Sequence, residues 1–271
     1  MIDIYNEDCL ITMSNLKDCF VDLTITSPPY DGLRDYNGYS FDFNSISKEL
    51  YRVTKQGGVV IWIVSDQTIK GSETGTSFRQ ALAFIDCGFK LHDTMIWSKD
   101  TFSYPDSSRY RNTFEYMFVL SKGKPKTFNP IRDRKNKYAG HQVHGTSRLV
   151  NGDTYRKSND KKTIVSEYGV RFNVWDISTE KNSKKFGHPA MFPERLALDH
   201  ILSWSNKGDI VYDPFLGSGT TALACLSVNR SFIGSEISEE YIEIINKRIN
   251  DSSNQLSIFN GEKEKGQLQN R

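Results

Sequence analysis

The sequence predicts an α/β fold organised around a mostly parallel sheet. Three observations carry this. Short runs rich in β-branched and aromatic residues alternate with stretches of helical spacing. That alternation returns after a polar, basic middle segment. A late strand then runs into a glycine-rich turn that opens a helix.

The strand candidates, in order, are Ile2–Tyr5, Phe20–Ile25, Gly58–Val64, Phe89–Trp97, Phe114–Leu120, Asp209–Tyr212 and Ser231–Ser235. Phe43, Ile46, Leu50 and Val53 recur at a spacing that puts them on one helix face. So do Phe78, Ala81, Leu82 and Ile85, with Thr76 as the expected cap and Gly88 as the stop. Pro193 suits the start of a helix that buries Ala197, Ile201 and Trp204, because a first turn leaves its N–H groups unpaired anyway. Ser238 is expected to cap a last helix whose acids, Glu239 and Glu240, come early and whose bases, Lys247 and Arg248, come late, as the helix dipole favours.

The chain is 37% hydrophobic, 12% aromatic and 25% charged, which excludes collagen-like, coiled-coil and wholly disordered classes. Its longest apolar run, Val59 to Val64, is far shorter than the roughly 20 residues of a membrane span. Asp3, Glu7 and Asp8 near the start argue against a signal peptide. The cysteines, Cys9, Cys19, Cys87 and Cys225, form no CxxC pair, and the histidines show no metal-ligand spacing. A reduced, cytoplasmic protein with no metal is the expectation.

The net charge of +2 conceals an asymmetry. Residues 121–187 hold 16 Lys/Arg against 6 Asp/Glu, and the rest of the chain holds 19 against 27. An acidic body carrying a basic segment suits a polyanionic partner, although a solvated basic loop has the same composition. The chain thus divides into 1–120 (α/β), 121–187 (a basic insertion rich in Lys, Asn, Ser and Gly), 188–250 (α/β again) and a polar tail over 251–271.

Two motifs carry chemistry. Asp213-Pro214-Phe215-Leu216-Gly217-Ser218-Gly219-Thr220-Thr221 follows a strand and opens a helix. Its glycines permit close backbone approach, and the helix start offers N–H groups to an anionic ligand. No lysine follows Gly219, so this is not the P-loop of nucleotide triphosphatases. The next strand ends at Glu236, placed to take two ribose hydroxyls. A tight turn and a surface glutamate is the competing explanation. The second motif is Thr26-Ser27-Pro28-Pro29-Tyr30, at the end of an early strand. Consecutive prolines fix the backbone and remove donors, leaving rigid carbonyl acceptors beside the Ser27 hydroxyl and the Tyr30 ring. Acceptors next to a stacking face suit a planar heterocycle with an exocyclic amine. A polyproline turn explains the prolines but not their neighbours.

With these motifs in this order, the chain resembles the amino-methylating DNA methyltransferases of the circularly permuted β group, across about residues 1–250. Asn6-Glu7-Asp8-Cys9, Gly57-Gly58, Phe114-Glu115-Tyr116, Ser121-Lys122-Gly123 and His188-Pro189-Ala190-Met191-Phe192-Pro193-Glu194 add to the likeness. The resemblance implies a Rossmann-like methyltransferase fold with a mixed, mostly parallel sheet, and S-adenosylmethionine as cofactor. It implies that Asp213, Pro214, Phe215, Gly217, Ser218, Gly219, Thr220 and Thr221 hold the methionine part, that Glu236 takes the ribose, and that Asp8 and Cys9 lie near the adenine. Thr26 borders the site, and Ala190, Met191, Phe192 and Pro193 close over it. The catalytic group would be Ser27, Pro28, Pro29 and Tyr30, with Tyr30 stacking on a flipped base. The basic insertion occupies the place of the family's target-recognition region, so Lys122, Lys124, Lys126, Arg132, Arg134 and Lys135 are the candidate DNA contacts, with double-stranded DNA as partner.

No cysteine follows a proline, which excludes the nucleophilic cysteine of cytosine carbon-5 methylation. In the resembled family, Ser at the first motif position is commoner in cytosine-N4 enzymes and Asp or Asn in adenine-N6 enzymes, so cytosine is favoured and adenine stays open. An RNA methyltransferase and a non-catalytic DNA-binding module are the remaining alternatives. A homodimer is a further possible partner. In the tail, Gln255-Leu256-Ser257-Ile258-Phe259 resembles the peptides that dock on the bacterial sliding clamp; packing back on the body is the competing explanation.

Overall fold

The computed structural model describes residues 1–29, 41–102, 108–143, 145–156, 164–180 and 192–252. Tyr30, Ala190, Met191 and Gln255–Phe259 lie outside the described residues.

The chain divides into two compact units, Met1–Asn129 with Val174–Arg271, and Pro130–Asn173. The first unit starts with β1 (Ile2–Tyr5), α1 (Cys9–Asn15), β2 (Val21–Thr26), α2 (Phe43–Val53) and β3 (Thr54–Val64). A small hairpin, β4 (Thr68–Ile69) and β5 (Ser72–Glu73), leads to α3 (Thr76–Asp86), β6 (Lys90–Ser98) and β7 (Phe114–Ser121). The second unit holds two short antiparallel pairs. β8 (Arg134–Lys135) pairs with β11 (Tyr168–Gly169), and β9 (Thr146–Arg148) with β10 (Thr154–Arg156). The first unit resumes with β12 (Val174–Asp176), α4 (Glu194–Trp204), β13 (Ile210–Asp213), α5 (Thr220–Ser227), β14 (Ser231–Ser235) and α6, over residues 239–252.

The main sheet has eight strands in the order β1-β14-β13-β2-β3-β7-β6-β12. β1, β14, β13, β2 and β3 are mutually parallel, β7 runs against both β3 and β6, and β12 lies parallel to β6. This is the mixed, mostly parallel sheet the sequence predicts. The last strands of the chain, β13 and β14, lie between β1 and β2, which is the spatial meaning of the permuted motif order.

The central strands are apolar on both faces, as a helix-covered parallel sheet requires: Ile25, Val60, Ile61, Trp62, Ile63, Leu120 and Val211 are fully buried. On one face Trp62, Phe84 and Phe43 pack edge-to-face with centroids 5.0 to 5.8 Å apart, the geometry ring quadrupoles prefer.

Three local departures from expectation have physical causes. α1 is short and lacks a long apolar stripe, so periodicity does not reveal it; it exists because the Asp8 carboxylate accepts from the Leu10 N–H at 2.7 Å and caps it. Thr76 is the first residue of α3 rather than its cap. Gly75 takes the cap position with φ 65°, and Asp66, distant in sequence, accepts from the Ser77 N–H at 2.9 Å. β12 belongs to the main sheet although it falls inside 121–187, because three residues are too few to show an alternation.

Candidate active site

Parallel strands deliver their C-terminal ends to one edge. Tyr5 pairs with Ser235, Asp213 with Gly234 and Tyr212 with Thr24, so the segments after β1, β14, β13 and β2 emerge together. From β13 the chain passes through α5 to β14 on one side, and from β2 through α2 to β3 on the other. The point where such connections diverge leaves a crevice beyond the strand ends, the usual ligand position in doubly wound sheets. Both motifs flank it.

Asp213 joins them. Its carboxylate is buried and accepts from Thr26 Oγ1 at 2.6 Å, Thr221 Oγ1 at 2.6 Å and the Phe215 N–H at 3.1 Å. Burial outweighs these bonds and pushes its pKa from 3.8 to about 6. The Asp213 side chain turns inward, where it braces the loop against the strand that leads to Ser27.

The loop itself needs glycine. Gly217 and Gly219 have φ of 56° and 86°, and Gly219 is the N-cap of α5. A Cβ on Gly219 would stand 3.1 Å from Ile245 of α6. Ser218, Thr220, Thr221 and Pro214 are buried, whereas Gly217 and Phe215 keep partial exposure.

Glu236 follows β14 and faces the loop. One carboxylate oxygen accepts from the Gly217 N–H at 2.7 Å, the other from the Ser238 N–H at 2.9 Å, at the start of α6. Burial raises its pKa against the effect of those bonds. Asn6 donates from Nδ2 to the Glu236 carbonyl at 2.9 Å, tying the end of β1 to the end of β14. Asp8 and Cys9 therefore stand at the same edge. Asp8 caps α1, and the buried Cys9 thiol is pushed up to about 12 by desolvation and the Asp8 charge.

Sequence reasoning missed one residue here. Arg248 of α6 donates to the carbonyl of Ser218 and, at 3.2 Å, to its hydroxyl. Its position late in a helix resembles ordinary dipole matching, so only the fold reveals that it grips the loop.

Ser27 is half-buried, Pro28 buried and Pro29 half-buried at the end of β2. Phe192 is half-buried and Pro193 is the N-cap of α4.

The basic residues separate. Arg132, Arg134 and Lys135 belong to the second unit, where Arg132 and Lys135 are exposed and the Arg134 guanidinium lies 4.5 Å from the Phe172 ring centre. Lys122, Lys124 and Lys126 belong to the first unit and follow β7 at the opposite edge of the sheet. Lys122 accepts at its carbonyl from the Gly57 N–H, and Lys126 donates from its N–H to the Gly57 carbonyl, beside the start of β3. Gly57 lies five residues before Trp62, the partner of Thr26, so that edge is about 17 Å from the strand ends bearing the motifs. The Lys122 ammonium is moreover bonded to the Tyr51 carbonyl at 2.6 Å. The six candidates are thus divided between the two units, three in each.

Comparison with known proteins agrees with this architecture. The DNA methylase family profile matches residues 21–247. The orphan methyltransferase M.BamHII of Bacillus amyloliquefaciens is 57% identical over 242 residues, covering 87% of this chain and 91% of the relative. A crystal structure of an M1.HpyAVI–SAM complex superposes with a TM-score of 0.63 at 26% identity, covering 92% of this chain and all of the other. PvuII DNA methyltransferase, described as cytosine-N4-specific, superposes with a TM-score of 0.66 at 20% identity, covering 94% and 92% of the two chains. The fold is that of a Rossmann-like methyltransferase, and with the family profile spanning both motifs the chain belongs to the DNA methylase family of N6/N4 methyltransferases.

Proposed function

We propose that this DNA methyltransferase transfers a methyl group from S-adenosylmethionine to the N4 amine of a cytosine flipped out of double-stranded DNA. The observation that carries the reading is the convergence of the glycine loop, Glu236 and Ser27 at one sheet edge, joined through the Thr26–Asp213 bond.

The site's chemistry fits the cofactor. A carboxylate offers about four acceptor positions. The Gly217 and Ser238 N–H groups occupy one on each oxygen of Glu236, which suits the remaining lone pairs to a pair of ribose hydroxyls. Glycines at positive φ bring backbone close to a carboxylate-bearing ligand at the start of α5.

S-adenosylmethionine supplies an electrophilic methyl group when bound. The exocyclic amine is a poor nucleophile because its lone pair is delocalised into the ring. Ser27 Oγ and the Pro28 carbonyl, held rigid by consecutive prolines, accept its hydrogens and favour a tetrahedral nitrogen. Positioning and fixed dipoles lower the barrier without a covalent intermediate. Tyr30 stacks on the flipped base and offsets part of the unstacking cost. The cytosine preference rests on Ser27 alone. A homodimer and a clamp contact through residues 255–259 complete the reading, tested by sedimentation and by pull-down with purified clamp.

The deciding experiment incubates the protein with DNA and labelled cofactor and identifies the modified nucleoside by mass. N4-methylcytosine supports the reading, N6-methyladenine replaces the target base, and no labelled nucleoside refutes the function. Ser27→Ala should lower kcat about a hundredfold while leaving cofactor affinity within about twofold, since its acceptor matters most as charge develops on the amine.

A further inference from the structure

β6 is parallel to the strands that carry both motifs, through its antiparallel partner β7, so its C-terminal end reaches the same edge as Thr26. The register runs from Thr26 to Trp62 to Phe118, and from Val64 to Tyr116 to Ile96, which places Ser98 and Phe114 at that edge. The described residues that follow β6 and precede β7, 99–102 and 108–113, therefore start from the side of Ser27.

Their base is firmly built. The Lys99 N–H donates to the Thr113 carbonyl at 2.7 Å, continuing the ladder past the strands. Lys99 and Glu115 form an ion pair at 2.9 Å whose side chains are only 16% and 12% exposed. Arg109 donates to the Gly71 carbonyl and faces Glu73 at 4.0 Å, anchoring residues 108–113 to the β4–β5 hairpin.

Beyond these anchors the side chains turn outward. Tyr110 is fully exposed, at 103% of its reference area, and the exposed Arg111 guanidinium lies 4.1 Å from the ring centre of Phe102, itself half exposed. The fold gains nothing from a solvated tyrosine beside these anchors. An aromatic ring beside a guanidinium is, however, the pairing that recognises nucleic acid, one stacking on a base and the other meeting a phosphate.

We propose that Tyr110 and Arg111 form a DNA-contact site on the catalytic unit, separate from the basic second unit, that grips the duplex beside the base presented to Ser27. Tyr110 stacks on the base left without its partner when the target flips out, and Arg111, pre-oriented by Phe102, bonds a backbone phosphate. This rests on the reading of the protein as a methyltransferase of duplex DNA.

The test uses the full chain and a fluorescein-labelled mixed-sequence duplex. Tyr110→Ala should weaken duplex binding about tenfold, and Tyr110→Phe should restore it, since the ring rather than the hydroxyl stacks. Arg111→Ala should weaken binding and reduce the salt slope by about 0.9, one phosphate contact. Cofactor affinity by calorimetry should stay at the wild-type value in all three. If the wild type methylates DNA and both alanine variants bind duplex with its affinity and slope, the contact site is refuted and the function stands. A parallel loss of cofactor affinity would mean a fold defect and also refute it. A wild type that neither binds duplex nor methylates it would sink both. Tyr110→Ala losing self-association while duplex binding is untouched would assign the patch to a protein contact and overturn the proposal.

Discussion

Thr26, the last residue of β2, donates its hydroxyl at 2.6 Å to Asp213, the last residue of β13. The bond crosses the point where the sheet's connections diverge. It couples the loop after one strand to the tetrapeptide after the other, so the position of Ser27 depends on that of the glycine loop.

That buried carboxylate should leave a pH signature. Its pKa is raised on folding from 3.8 to about 6, so between those values the folded protein keeps a proton that the unfolded chain has released. Its contribution to stability is full below 3.8, is lost as pH rises to about 6, and is constant above. The total is about 3 kcal/mol. Asp213→Asn cannot titrate. Its amide oxygen can still accept from Thr26 and Phe215, and its NH2 can donate to Thr221, whose hydroxyl also accepts. The variant should therefore gain stability relative to wild type between pH 4.5 and 7. Urea unfolding across that range checks it, and a pH-independent difference would show that Asp213 is ionised throughout.

Glu236 receives backbone N–H groups on both oxygens. Glu236→Gln replaces one acceptor with a donor facing a donor, at either Gly217 or Ser238. A buried mismatch of that kind costs about 1–3 kcal/mol. Cofactor affinity should fall at least tenfold, and the start of α6 should loosen. Calorimetry with S-adenosylmethionine measures the first, and amide exchange at Ser238 the second.

The large outline was legible in the sequence because it follows from strong local signals. β14 is bounded by Ser231 and Ser235 as predicted, and β2, β6 and β13 differ from expectation by one residue at each end. The site motifs were legible because glycine and proline at fixed offsets have few structural uses. The inward turn of Asp213 was not, since its partners Thr26 and Thr221 meet it only once two distant strands lie side by side. Nor was the remoteness of Lys122, Lys124 and Lys126, because charge counted along a chain carries no information about sheet edges.

Arg248 links α6 to the glycine loop at Ser218, and Ile245 one turn earlier packs against Gly219. Arg248→Ala removes donors to a largely buried carbonyl and should raise the Kd for S-adenosylmethionine about tenfold. Arg248→Lys, with one donor group in place of a planar fork, should recover only part of this. Saturating cofactor should return kcat to near the wild-type value. A kcat that stays depressed at saturation would place the effect of Arg248 on the chemistry instead of on the loop.

The two groups of basic residues should separate in salt dependence. Arg132, Arg134 and Lys135 lie on the second unit, whereas Lys122, Lys124 and Lys126 lie at the sheet edge opposite Ser27, with the Lys122 ammonium held by the Tyr51 carbonyl. With one base of a duplex at Ser27, Lys124 and Lys126 lie toward the opposite end of the same strands, about 17 Å away. Each phosphate contact contributes about −0.9 to the slope of log affinity against log salt. Replacing Arg132, Arg134 and Lys135 with glutamine should flatten that slope by about 2 to 3. The same change at Lys124 and Lys126 should leave it within about 0.3 of wild type. Duplex binding by anisotropy over a salt series gives both numbers. Equal flattening in the two variants would mean that DNA follows the basic residues around the molecule, and that the edge carrying Ser27 is not the face on which the duplex rests.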